Sequence, residues 1–122
     1  VTLTARAATP SDLREFYPDM VCSFRAWVCE LNGEVQGIIG VALLRPLACM
    51  FSTVREPLKP FLRHLTILRL IKRAQAAVQA SRVPVIALAE PGLVTAPRIL
   101  ERIGFEHVGT FDDGEIYGWG WR

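Results

Sequence analysis

The chain has little of what disulfide scaffolds, metal sites and membrane spans require. Its 122 residues include only 3 cysteines and 2 histidines. An odd number of cysteines excludes a fully paired disulfide framework, and Cys22, Cys29 and Cys49 show no metal-like spacing. They lie among apolar residues, where free cysteine packs as a small hydrophobe, so reduced core thiols in a cytoplasmic setting are expected. His64 and His107 cannot by themselves build a zinc site. No apolar run free of charges and breakers reaches the roughly 18 residues a membrane span needs. The first residues also lack the basic-then-apolar pattern of a leader. A soluble protein without membrane contact is therefore expected.

What is present is hydrophobic content. With 51% of its residues hydrophobic, a chain of this length can bury a core without staples, so a single domain over residues 1–122 is expected. The formal net charge is only +2, but it is unevenly placed. Arg55, Lys59, Arg63, Arg69, Lys72, Arg73 and Arg82 fall in one stretch opposed only by Glu56. Such a stretch attracts phosphates or forms a solvated helix face. Nucleic-acid binding ranks low, because no docking motif accompanies it and the overall charge is modest.

Local signals divide the chain. Thr2 to Ala7 alternates like a strand, and Thr9-Pro10-Ser11-Asp12 reads as a helix start with Thr9 as N-cap and Asp12 closing a capping box. Pro18 ends that helix. Arg25 to Leu31 and Glu34 to Leu44 are strands joined by Asn32-Gly33, a dipeptide suited to a type I′ hairpin turn. Leu47 to Val54 continues the meander, and Gly37 and Gly40 suggest a bulge or close packing. From Pro60 to Ala80 the period lengthens, with Phe61, Leu65, Leu68, Ile71, Ala74 and Val78 on one helical face and Arg69, Lys72 and Arg73 outward. Val83 to Ala89 reads as a buried strand. Thr95 to Ile103 reads as a helix ended by Gly104. Glu106 to Phe111 and Glu115 to Trp121 form a last hairpin, with Tyr117, Trp119 and Trp121 on one face.

This order, and three stretches in particular, resemble the GNAT N-acetyltransferases. They are Arg6 to Asp12, the hairpin from Trp27 to Gly40, and Ala96-Pro97-Arg98-Ile99-Leu100-Glu101-Arg102-Ile103-Gly104-Phe105, similar to the family's late helix and its terminating Gly-Phe. The resemblance implies an α/β fold, a mixed and mainly antiparallel sheet with helices on both faces. It further implies a cleft where the fourth and fifth strands splay, with acetyl-CoA as cofactor. Backbone amides of Ser52, Thr53 and Val54 would hold the acyl and pantetheine groups, and Arg55, Lys59 and Arg63 would meet the phosphates. Glu56 and Glu90, at the ends of those strands, are the candidate general bases. Trp27, Trp119 and Trp121 either line an acceptor pocket or pack in the core.

Two departures from the family pattern matter. The pyrophosphate loop corresponds to Lys59-Pro60-Phe61-Leu62-Arg63-His64, with Leu62 and His64 where small residues belong and Pro60 removing an amide donor. Leu100 and Leu93 stand where many members carry a tyrosine and an asparagine. The reading is an acyl-CoA-dependent N-acyltransferase with a degenerate cofactor loop. Its alternative is a noncatalytic GNAT-fold structural or interaction protein, of the kind some tailed phages carry in virions. The trimmed segment between the first helix and the first hairpin predicts an open acceptor side, suited to a macromolecular acceptor, a protein partner or a site completed by a second subunit.

Overall fold

Hydrogen-bonding side chains at the N-terminus set the first turn of structure. The computed structural model describes residues 1–89, 96–111 and 114–120. Strand β1 (Leu3–Ala7) leads into helix α1 (Pro10–Phe16), whose N-cap is Thr9, with the reciprocal Asp12 contact of a capping box. Asp12 does more than cap. Arg6 grips its carboxylate with both terminal guanidinium nitrogens, at 2.6 and 3.1 Å, and the Thr9 N–H donates to it at 2.8 Å. These bonds tie β1 to α1 through the one charged residue that is buried among those described.

The strands β2 (Ser23–Leu31), β3 (Glu34–Leu43) and β4 (Ala48–Val54) form the expected meander. Asn32 and Gly33 take φ of 51° and 86°, the positive pair that a type I′ turn needs. The strand glycines divide the expectation between them: the β2–β3 register slips between Cys29 and Glu30, beside Gly37, leaving Gln36 as the bulged residue, and the neighbouring backbone closes in at Gly40. A 3-10 helix (Glu56–Phe61) follows, then α2 (Leu65–Gln79), β5 (Val85–Ala89), α3 (Ala96–Ile103), β6 (Glu106–Phe111) and β7 (Gly114–Trp119). Gly104, at φ 112°, ends α3 in a Schellman arrangement, with the Phe105 N–H donating to Leu100 O at 2.9 Å. The β6–β7 register slips at Val108.

These strands make one 7-stranded sheet in the order β1-β2-β3-β4-β5-β7-β6. Only the β4–β5 pair is parallel, so the sheet is mixed and mainly antiparallel. Strand alternation divides its faces. Leu13 of α1 packs on Ala26, Val28, Ile38, Ala42 and Phe51. On the opposite face Trp27, Cys29, Ala48, Met50, Val85 and Ala87 meet residues of α2 and α3. The two faces are thus covered as expected.

The second helix departs from the sequence reading in two respects. It begins at Leu65 rather than near Pro60, because Pro60 lies in the 3-10 segment and His64 takes the N-cap. Its buried face is Ile67, Leu70, Ala74 and Val78, whereas Leu65 and Leu68 are exposed. The predicted stripe combined two faces, since apolar leucines also occur on the solvent side. Arg69, Lys72 and Arg73 do point outward. No helix among the described residues is long and apolar enough to cross a membrane.

The Arg6 hydrogen bonds are the main cause that lowers the Asp12 pKa to about 2, against the opposing effect of burial. A lowered folded-state value stabilises the fold above the unfolded value of 3.8 and loses that contribution as pH falls through about 2. Asp12→Asn should therefore lower stability at pH 7 by about 2 kcal/mol, and the deficit should vanish near pH 2, as read by urea unfolding at both pH values. The glycines provide an independent check. A Cβ on Gly40 would stand 2.5 Å from the Arg25 carbonyl oxygen, whereas one on Gly37 would meet the end of the Leu58 side chain at 2.6 Å. Backbone yields less than a leucine rotamer, so Gly40→Ala should destabilise by about 2 kcal/mol or more and Gly37→Ala by less, measured by thermal unfolding.

Candidate functional site

A break inside the sheet defines the site. Strands β4 and β5 pair at Ala48–Val85, Cys49–Ile86 and Met50–Ala87, and there their pairing stops. Both strands continue beyond that point. On its outer side β4 stays paired with β3 as far as Val54, and β5 stays paired with β7 as far as Ala89. The parting therefore belongs to the topology and is not fraying of strand ends. Ser52, on a central strand, is exposed as a consequence.

Parity identifies the groups lining the opening. Ala48 sends its N–H toward β5, to Pro84 O at 2.9 Å, and Arg55 sends its N–H toward β3, to Gln36 O at 2.9 Å. Successive strand N–H groups alternate in direction, so Ser52 and Val54 turn theirs into the opening while Thr53 faces β3. Of the strand residues predicted to supply backbone groups, two are thus aimed into the gap and one is not.

The helix that follows brings its positive end to the same rim, because α2 must run back from the end of β4 to the start of β5. Its first turn is already partly engaged. His64 Nδ1 accepts the Thr66 N–H at 3.1 Å, which leaves the ring proton of a neutral imidazole on Nε2. The Leu65 and Ile67 amides have no acceptor within the helix.

The predicted cations separate. Lys59 is bound to Glu56 at 2.6 Å, and 83% of the Glu56 side chain is open to solvent. Arg63 lies exposed in the turn before α2 and joins no ion pair among the described residues. Arg55 follows the odd-numbered positions of β4 onto the α1 face. There its Nη1 donates to Val35 O at 3.1 Å and its guanidinium carbon sits 4.4 Å from the centre of the Phe16 ring. Glu90, Leu93 and Trp121 lie outside the described residues. Trp27 is buried among Cys29, Leu58, Ile67 and Leu70, and Leu100 is buried beneath α3, so both are core side chains.

Sequence reasoning missed Tyr17. It is the C-cap of α1, stands edge-on to Phe51 with ring centres 5.2 Å apart, and shares a 2.5 Å hydrogen bond with Thr53 Oγ1. The adjacent aromatics Phe16-Tyr17 just before Pro18 were the available signal. Burial raises the pKa of each of the three thiols, with Cys29 raised further by Glu30 and Cys49 by Cys22, which disfavours the reactive thiolate. No cluster of metal-ligating side chains occurs among the described residues.

The His64 cap can be tested directly. His64→Ala should destabilise by about 1 kcal/mol and His64→Gly by only a few tenths, because glycine is itself a good N-cap; chemical denaturation at neutral pH measures both.

No protein-family model matches this chain, and no curated protein is matched by it. Solved structures do match. A GNAT-family acetyltransferase from Streptococcus pneumoniae superposes with a TM-score of 0.65 at 14% identity, over 97% of this chain and 99% of that one. An N-acetyltransferase from Staphylococcus aureus gives 0.65 at 15% identity, over 98% of each chain. A GNAT-family acetyltransferase from Elizabethkingia anophelis, solved with acetyl-CoA bound, gives 0.63 at 11% identity over 95% of this chain and 96% of that one.

Proposed function

The fold is that of the GNAT acetyltransferases, and from this premise we propose that the chain is an acyl-CoA-dependent N-acyltransferase. The observation that carries the reading is the opening between β4 and β5, into which Ser52 and Val54 turn their amides. Bound acetyl-CoA would supply an activated thioester. The Ser52 and Val54 amides would hold its carbonyl oxygen and pantetheine arm, stabilising the negative charge that grows on that oxygen. Arg63, at the rim beside the α2 N-terminus, would meet the phosphates by side-chain charge, aided by the Leu65 and Ile67 amides.

The acceptor amine attacks the thioester carbon, a C–N bond forms, and the C–S bond breaks with the electron pair leaving on sulfur. The amine gives up one proton and the thiolate takes one. Glu56 is engaged with Lys59, so we assign removal of the amine proton to Glu90, which follows β5 in sequence. Leu100, a buried core side chain, cannot protonate the thiolate, so on this reading the proton would come from solvent. Three free thiols suit a reducing compartment, the cytoplasm.

One observation favours a noncatalytic scaffold instead. His64 occupies the Thr66 amide at the place where the other reading needs a phosphate.

A single titration separates the two. Calorimetry should show heat of binding for acetyl-CoA, weakened about tenfold or more in Arg63→Ala because a charge-assisted contact is lost, and strengthened in Leu62→Gly/His64→Gly, which opens the backbone to the pyrophosphate. Absence of heat at millimolar acetyl-CoA, in wild type and double variant alike, would select the scaffold. Turnover with an amine acceptor, lost in Glu90→Gln, would support the transferase and its assigned base.

A further inference from the structure

Between Glu56 and Glu90 the sequence carries no acidic residue, yet it holds Lys59, Arg63, Arg69, Lys72, Arg73 and Arg82. Three of these cations stand together on the outer face of α2. The helix sits on the sheet through Ile67, Leu70, Ala74 and Val78, which turns Leu65, Leu68, Arg69, Lys72, Arg73 and Ala76 to solvent. Arg69 lies three residues from Lys72 and four from Arg73, the spacings at which side chains on a helix meet. Like charges at those spacings repel and oppose the helix. No acidic neighbour on the helix relieves them: α2 contains no Asp or Glu, and none of the three cations joins an ion pair among the described residues. Nor do they complement the helix dipole, since the last turn of α2 holds no basic residue. The face therefore carries a repulsion that an external anionic partner would remove.

The leucines decide which anionic partner fits. Leu65 and Leu68 are 56% and 43% exposed, one turn apart, and Leu65 shares the middle of the outer face with Ala76 while Arg69 and Lys72 flank it. A phosphate backbone offers nothing to a pair of leucines, and α2 has no aromatic residue on which a base could stack. A protein groove that engulfs a helix takes anchors from several turns. Here both leucines come from a single turn, and the opposite half of α2 is already packed on the sheet. What fits is a surface that accepts aliphatic and cationic side chains together and touches one side of the helix only. A bilayer containing acidic lipids has that character: aliphatic side chains enter beneath the headgroups, while the long stems of Arg and Lys reach back to the phosphates. We infer that the outer face of α2 docks the domain on anionic membrane surfaces, with Leu65 and Leu68 inserted and Arg69, Lys72 and Arg73 among the headgroups. The expectation of no membrane contact rested on the lack of a spanning segment, which a helix lying on the surface does not need. The inference stands apart from the transferase reading, because none of these side chains is assigned to acetyl-CoA or to the amine.

Co-sedimentation with vesicles tests the docking. At low salt the chain should partition onto vesicles of phosphatidylcholine and phosphatidylglycerol in a two-to-one ratio about tenfold or more above its partition onto phosphatidylcholine alone, and high salt should strip it off. Arg69→Gln/Lys72→Gln should lower that partition by about tenfold or more, whereas Arg14→Gln/Arg45→Gln, which removes the same charge from exposed positions elsewhere, should change it by less than about twofold. Leu65→Ser/Leu68→Ser keeps every charge and should still weaken partition by about tenfold. Circular dichroism checks that each variant is folded, and the charge variant should melt no lower than the wild type, because the repulsion on α2 is relieved. Equal sedimentation with the two kinds of vesicle, or a partition indifferent to the charge variant, overturns the inference. Partition that survives the leucine change reduces the contact to general attraction between charges and overturns it as well. Retention of poly-uridylate RNA without sedimentation on the anionic vesicles would assign the face to nucleic acid instead. Acetyl-CoA heat should be the same in the wild type and the charge variant; a fall there would return these cations to the cofactor site.

Discussion

Strands β4 and β5 are each secured by an outer neighbour and released from one another beyond Met50 and Ala87. A sheet normally leaves no main-chain group in its interior without a partner, because an unmatched amide carries a penalty comparable to a lost hydrogen bond. Here the topology leaves such groups without a partner strand in the middle of the sheet, at Ser52 and Val54. Everything else at this end of the molecule is arranged around that strip. The crossover brings the α2 N-terminus to one side, and the end of α1 brings Phe16 and Tyr17 to the other. The simple alternation of a strand then sends Phe51 to the α1 face and Val54 to the α2 face.

Much of the fold was legible in the sequence because its signals are local. Thr9 and Asp12 cap a helix through atoms only a few residues apart, Asn32-Gly33 closes a hairpin, and Gly104-Phe105 ends another helix; none of these needs knowledge of distant residues. The face of α2 was harder to read. Leu65 and Leu68 have the spacing of core residues, but nothing in a single sequence tells which of two apolar stripes will meet the sheet.

The site was legible only in part, for a related reason. The resemblance pointed to the end of the fourth strand, where the pairing register turns the Ser52 and Val54 amides toward the gap and the Thr53 amide toward β3. Which cation stands on which face depends on pairing register and on where α1 ends, both of which are tertiary facts. Hence the run from Arg55 to Arg63 read as one phosphate-binding cluster, and its division became visible only through the Phe16 and Val35 contacts. The Tyr17–Thr53 contact, between residues far apart in the chain, left no pattern to detect beyond an aromatic pair.

The position of β5 also governs how the molecule assembles. Strands β2 to β4 join by hairpins, β6 and β7 form a hairpin of their own, and β1 joins β2 across the short helix α1, so these pairings close at smaller entropic expense than the β4–β5 crossover. Strand β5 must enter between β4 and β7, and each of those pairings closes a long loop containing a helix. The contacts with the largest chain-entropy penalty are therefore the ones that bring the two rims together, and in folding order they belong to the late events. A chain that stalled before this step would keep its meander and its hairpin yet have no gap at all.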